Sequence, residues 1–160
     1  MRIRAREQDD LAEVERLLSA VGLPPDGLDR TRGWVLLEDD RIHGHIALEC
    51  AGTTTVLRSL VVAKEQQGHG LGRALFDFAE AALAAWGPGL RVLRTDSIGD
   101  WVLRRGYRLA QLGELPAPVR GTSQFSGGLC AGSPGAGSPC AGSPYAGSPC
   151  ASTPIYIKEN

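Results

Sequence analysis

The 160-residue sequence is short of aromatic residues and of methionine, with three Trp, three Tyr, three Phe and one Met. No apolar block continues for more than about ten residues, about half of what a membrane-crossing helix needs, so no membrane segment is expected. Met1-Arg2-Ile3-Arg4 lacks the apolar core of a signal peptide, which makes a cytoplasmic location the default expectation. A charge excess is missing too: Lys plus Arg is 17 against 18 for Asp plus Glu, a net of −1. Without a basic field, neither nucleic acid nor an anionic membrane is an expected partner. The four cysteines form no C-x-x-C pair, and the three histidines, His43, His45 and His69, stand apart from them. That spacing argues for reduced thiols and for no metal site.

The chain is long enough for one domain that buries about two-thirds of its unfolded surface. Apolar spacing predicts a strand at 2–5, a helix over 11–21 ended by Gly22-Leu23-Pro24-Pro25, and a short helix or turn near 26–31. Strands follow at 34–37, 42–50 and 53–62, the first two joined through Glu38-Asp39-Asp40-Arg41. A helix over 71–86 comes next, with Leu71, Leu75, Phe78, Ala79, Ala82 and Leu83 expected to face the sheet. A strand at 90–95, a helix at 98–105 and a strand at 107–112 complete the series. This order predicts an α/β protein whose mixed sheet of about six to seven strands is covered by helices on both faces.

From Ala131 the composition changes, and Ala-Gly-Ser-Pro recurs every five residues at 131, 136, 141 and 146. Proline at that interval forbids helix, and Gly with Ser offers nothing to bury. Cys130, Cys140 and Cys150 belong to this stretch, so their even spacing follows from the repeat and not from a ligand geometry. Ile155-Tyr156-Ile157-Lys158 then alternates as an edge strand would. The expected organisation is a core over 1–125, a low-complexity insertion over 126–153 and an edge strand over 154–160 that returns to the sheet.

The most informative run is Leu60-Val61-Val62-Ala63-Lys64-Glu65-Gln66-Gln67-Gly68-His69-Gly70-Leu71-Gly72-Arg73, where an apolar strand passes through a glycine-rich turn into a helix. Unpaired amides at a helix N-terminus, with side chains removed by glycine, make an anion cradle. A nucleotide P-loop would need Gly-Lys followed by Ser or Thr, which Gly70-Leu71-Gly72-Arg73 does not supply. The dinucleotide fingerprint G-x-G-x-x-G has a different spacing from Gly68-x-Gly70-x-Gly72, although Asp96 lies within reach of its acidic partner. A turn that merely packs helix on strand is the remaining alternative.

Gln67-Gly68-His69-Gly70-Leu71-Gly72 resembles the Q/R-x-x-G-x-G/A loop of the GCN5-related N-acetyltransferases, the GNAT superfamily. The flanks match as well: Leu60-Val61-Val62 is similar to the family's splayed fourth strand, and Trp101 with Gly106-Tyr107 to the end of its next helix. The likeness spans roughly residues 34–110. It implies an N-acetyltransferase of GNAT fold with acetyl-CoA as acetyl donor, acting on a small-molecule amine by direct attack in a ternary complex, as a monomer or homodimer. Peptide or protein acetylation and a silent acetyl-CoA-binding module are the alternatives. The segments Ala47-Leu48-Glu49, Leu57-Arg58-Ser59-Leu60 and Val119-Arg120-Gly121-Thr122-Ser123-Gln124-Phe125 resemble the small acetyltransferases encoded with arsenic-resistance genes, which implies an amino acid or an amino-acid-like organoarsenical as acceptor.

By the same resemblance, the backbone of Leu60 and Val62 would pair with the pantetheine arm, and Leu60 or Val61 would supply the oxyanion N–H. Amides from Gly68 through His69, Gly70, Leu71 and Gly72 to Arg73, led by Gln67, would hold the pyrophosphate, with His69 at the solvent side. Glu49 is the candidate general base and His45 the second, since both fall on one strand face by i, i+4 parity. Arg58 and Arg120 are candidate forks for an acceptor carboxylate; for Arg58 a cross-strand ion pair is the alternative. Relatives often place a tyrosine after the helix aromatic to protonate the leaving thiolate. Val102 occupies that place here.

Overall fold

The computed structural model describes residues 1–126 and 153–159. The Ala-Gly-Ser-Pro repeat, with Cys130, Cys140 and Cys150, lies outside the described residues. Seven strands form one sheet in the order β1-β2-β3-β4-β5-β7-β6: β1 Arg2–Ala5, β2 Arg32–Glu38, β3 Arg41–Ala51, β4 Thr54–Val62, β5 Leu90–Arg94, β6 Arg108–Ala110 and β7 Ile155–Glu159. The helices are α1 Leu11–Ala20, α2 Leu71–Trp86, α3 Gly99–Leu103, α4 Ala117–Arg120 and α5 Ser123–Ser126. This is the mixed α/β architecture that the order of apolar segments predicts.

β2 and β3 close through Asp39-Asp40, both in the left-handed region at φ 49° and 60°, as a two-residue hairpin with the twist of the strands demands. Every pairing in the sheet is antiparallel except β4 with β5, which α2 joins as a crossover. β7 lies between β5 and β6, not at the rim where alternation suggested an edge strand. Ile155, Tyr156 and Ile157 are all buried because both faces of the sheet are covered there.

One face packs on α2 and α3, where Leu71, Leu75, Phe76, Ala79 and Leu83 meet Ile46, Leu48, Leu57 and Leu93. Phe76, and not Phe78, is the core phenylalanine of α2: Phe76 is 1% exposed and Phe78 41%. Trp101 and Tyr107 stand against Phe76 at 4.7 and 6.1 Å, whereas Phe78 lies edge-on to Trp34 at 5.6 Å. The opposite face carries two clusters, one under α1 with Val14, Leu18, Val35 and Ala47, the other under α4 with Val56, Val92, Leu115 and Val119.

The sheet has its consequential irregularity in β4. His45 pairs with Val61 and Ala47 with Arg58, so Ser59 and Leu60 together oppose Ile46. This is a β-bulge, with Ser59 at φ 54°, a conformation more natural to glycine. The extra residue inverts side-chain parity. Leu57 faces α2 while Val61, four residues on, faces α1.

Candidate functional site

The parallel ladder of β4 on β5 runs from Thr54↔Leu90 to Leu57↔Leu93 and goes no further. Beyond Leu57, β4 continues to Val62 with β3 on one side and, among the described residues, no strand on the other. Which backbone groups face that open side follows from register. The Ala63 N–H donates to His43 O at 2.8 Å, so antiparallel alternation turns Val61 toward His45, and Leu60 and Val62 toward the opening. Gln67 meets Val62 there, its amide Nε2 donating to the Val62 carbonyl at 3.0 Å. Of the two candidate oxyanion donors, Leu60 is therefore the one whose N–H faces the gap. Val61 is committed to the hairpin.

The Gln67 bond folds the glycine loop back onto the end of β4. Gly68 and Gly70 take φ 83° and 79°, conformations that L side chains rarely adopt, and Gly70 is the N-cap of α2. The first turn of α2 holds no acidic residue and no side-chain cap, so the amides of Leu71, Gly72 and Arg73 keep the positive end of a 16-residue helix available. Val62, Gln66, Gln67, Gly68, Gly70, Leu71 and Gly72 line a cavity of about 320 Å³ at this point. A Cβ on Gly68 or Gly70 would meet no protein atom within 4 Å, so the space above them is open to a ligand. His69 is exposed, with Nδ1 3.3 Å from Gln66 O. Arg73 is also exposed, its guanidinium 4.0 Å from Asp77, at the solvent side of the helix start. Open strand edge, glycine loop and uncapped helix suit an extended ligand with an anionic diphosphate and an amide-bearing arm, the shape of a coenzyme A thioester.

Glu49, His45 and Arg58 share the sheet face of α1, as parity on β3 and the regular pairing of Arg58 with Ala47 require. Arg58 Nη1 donates to Glu49 Oε2 at 3.0 Å, and Arg58 Nη2 to Asp26 O at 2.7 Å. The pair is largely buried, at 6% and 18% side-chain exposure for Arg58 and Glu49. The candidate base and the candidate carboxylate reader are thus each other's partner, the cross-strand ion pair that the sequence allowed as the alternative for Arg58. Arg120 stands apart, exposed at the end of α4, with no ion pair to a described residue.

His45 is wholly buried. Its Nδ1 lies 3.2 Å from Ser59 O, and its Nε2 3.3 Å from Nη1 of Arg6, which also donates from Nη2 to Leu28 O and Thr31 O at 2.7 and 2.6 Å. Burial, with the Arg6 charge adding to it, pulls its pKa down to about 3, so the ring is neutral at physiological pH. With both nitrogens engaged and no path to solvent, His45 has no geometry for taking a proton from an acceptor.

Val102 is buried in the α2 face core and offers no proton. Tyr107 does not replace it, because its hydroxyl donates to Glu80 Oε1 at 3.1 Å, and burial beside that carboxylate pushes its pKa up. Glu80 also receives Arg91 and Lys158 at 3.1 Å each, a buried network beneath α2. Tyr156 carries no site signal in the sequence, yet its side chain reaches the first residue of α3 so closely that a Cβ on Gly99 would collide with its hydroxyl. Only the β7 register brings it there. Among the described residues no group of three or more His, Cys, Asp or Glu side chains could hold a metal, and no helix is long and apolar enough to cross a membrane.

The site is thus a mixed sheet split between two parallel strands, with a glycine loop and an uncapped helix start at the split. The profile of the acetyltransferase (GNAT) domain matches residues 29–109, and the chain belongs to that family. No curated protein matches the sequence. Among solved structures, a Mycobacterium tuberculosis protein in complex with CoA is 14% identical, with a TM-score of 0.72 over 100% of this chain and 99% of its own. N-acetylglutamate synthase from Neisseria gonorrhoeae, complexed with coenzyme A and N-acetyl-glutamate, is 17% identical, with a TM-score of 0.68 over 99% of this chain and 35% of its own. A GNAT acetyltransferase from Brucella melitensis in complex with acetyl-CoA is 24% identical, with a TM-score of 0.58 over 67% of this chain and 82% of its own. At such identities the likeness establishes the fold.

Proposed function

We propose that this enzyme is an acetyl-CoA-dependent N-acetyltransferase that acetylates the amine of a small molecule. The observation that carries the reading is the open edge of β4 beyond Leu57, directly beside the cavity at the start of α2. When bound, acetyl-CoA supplies the activated acetyl group. Backbone groups of Leu60 and Val62 hold its arm, amides from Gly68 to Arg73 hold its diphosphate, and Gln67 keeps the loop in place. The Leu60 N–H stabilises the negative charge that develops on the carbonyl oxygen as the acceptor nitrogen forms its bond to carbon and the bond to sulfur breaks. Glu49 accepts the proton lost by the amine, directly or through a water, and the thiol leaves as thiolate, a tolerable leaving group near neutral pH. Arg58 holds Glu49 aimed through their ion pair, and does not read the substrate.

Arg120, exposed at the end of α4, is the remaining arginine fork for an acceptor carboxylate, and the resemblance to the arsenic-resistance acetyltransferases favours an amino acid or a close analogue as substrate. The synthase that shares this fold over 35% of its length was solved with coenzyme A and N-acetyl-glutamate, which supports an amino-acid acceptor. The segments around Glu49, Arg58 and Arg120 that resemble arsenic-resistance acetyltransferases add amino-acid-like organoarsenicals to the candidates. A panel of amino acids, phosphonate and arsenical analogues and peptides, followed by thiol release and by mass gain of one acetyl group, tests this. Acetylation of a small amine is expected. Tight acetyl-CoA binding with no turnover on any amine would replace the reading with a binding module.

A further inference from the structure

His45 is buried, neutral and unable to reach an acceptor, yet its ring is bonded at both ends, and its two neighbours fix how. Ser59 O can only accept and Arg6 can only donate, so the ring carries its proton on Nδ1 and offers a lone pair at Nε2. The Ser59 carbonyl belongs to the same peptide unit as the Leu60 N–H. No peptide bond among the described residues is cis, so carbonyl and N–H of that unit point in opposite directions. The carbonyl turned toward His45 sets the Leu60 N–H toward the open edge of β4. The unit also starts at the most strained non-glycine residue of the strand, Ser59 at φ 54° inside the bulge. A bulge of this kind needs something to hold it, and His45 is the side chain that does.

We propose that His45 is a positioning residue, which orients and polarises the Leu60 amide as oxyanion donor through the hydrogen-bonded series Arg6, His45, Ser59 C=O and Leu60 N–H. The proposal rests on the acetyl-transfer reading above. Each bond in the series withdraws electron density from the next, which makes the Leu60 N–H a stronger donor than an isolated amide. Arg6 contributes by locking the tautomer and by placing a positive charge at the far end of the ring. Its own contacts to Leu28, Thr31 and His45 fix it in turn.

Two isosteric substitutions separate this role from packing. In His45→Asn the amide nitrogen replaces Nδ1 and keeps the bond to Ser59; in His45→Gln the side-chain carbonyl replaces Nε2, keeping Arg6 and losing Ser59. The expected result is a kcat within about threefold of wild type for His45→Asn and lower by about tenfold or more for His45→Gln, the KM for acetyl-CoA being little changed in both. With carbonyl-13C-labelled acetyl-CoA bound, isotope-edited infrared spectra should show the carbonyl band lowered in wild type and His45→Asn, and back toward its solution frequency in His45→Gln. Equal bands in the three proteins, or kcat losses that simply follow melting temperature, overturn the proposal. Should the variants not fold, imidazole 15N spectra of the wild type decide: a proton on Nδ1 is expected, and a proton on Nε2 refutes the relay. Wild-type protein that binds no acetyl-CoA removes the parent reading and this one together, whereas normal binding with an unmoved band removes this one alone.

Discussion

Replacing Arg58 by methionine tests whether this arginine reads a substrate or holds the base. The side chain is 6% exposed, donates to Glu49 and to the Asp26 carbonyl, and ties β4 to the loop after α1. Removing one member of a buried ion pair costs about 3–5 kcal/mol, and the partial exposure of Glu49, 18%, points to the lower end. A loss of about 3 kcal/mol in a chain of this size corresponds to a fall of about 6–12 °C in Tm. Glu49→Gln keeps an acceptor oxygen for the guanidinium and should cost only about 1 kcal/mol. The double variant should therefore be more stable than the sum of the two losses predicts, by about 1–2 kcal/mol. Urea denaturation of the four proteins gives these values, and initial rates give the second half of the test. If Arg58 holds Glu49, both single variants lower kcat and leave the KM for the amine nearly unchanged. Arg58→Met that costs less than about 1 kcal/mol and raises the KM for carboxylate-bearing amines selectively would refute the reasoning.

Gly70→Ala should cost about 1 kcal/mol of backbone strain and raise the Kd for acetyl-CoA about tenfold or more by calorimetry. Gly22→Ala, at a similar φ of 74° and with equally open surroundings, is the control that should bear the strain and leave the Kd alone. Phe76→Ala should lose about 4 kcal/mol and Phe78→Ala about 1 kcal/mol or less, measured by urea unfolding. Stability should also fall with acid through His45, whose ordinary pKa of 6.5 drops to about 3 on folding. Between those values the unfolded chain binds a proton that the folded one does not, so the contribution is complete above pH 6.5 and drains away as pH falls toward 3. From pH 7 to 5 that amounts to about 2 kcal/mol, and His45→Asn should flatten this part of the profile.

The glycine loop and α2 were legible because their signals are local: leucine and alanine recur four apart along one stripe, and the loop's glycines need nothing distant to make sense. Phe76 against Phe78 was not legible, since the two flank that stripe on opposite sides. Which flank is buried depends on Trp101 and Tyr107, which arrive from α3 and the turn after it. The interior place of β7 was hidden for a similar reason, because β6 adds outside it across a long sequence separation. At the site, parity on β3 and the regular register up to Arg58 put His45, Glu49 and Arg58 on one face, but the direction of Val61 turned on the bulge. Serine at a left-handed position leaves no mark in the sequence that glycine would have left.

That supernumerary residue gives β4 an unusual mutational character. The apolar residues near Ser59, Leu57 and Val61 among them, should tolerate exchange for others of like volume, as core residues do. Length is another matter: deleting one residue between Arg58 and Val61 would leave both on the α1 face but restore strict alternation and remove the bulge. Without the bend that the bulge imposes, the regularised strand could extend its pairing with β5 and close the gap. The fold would survive as a better sheet and a worse enzyme. The acetyl site is thus encoded by a count of residues as much as by their kinds, and its evolution is constrained in reading length where it is free in composition.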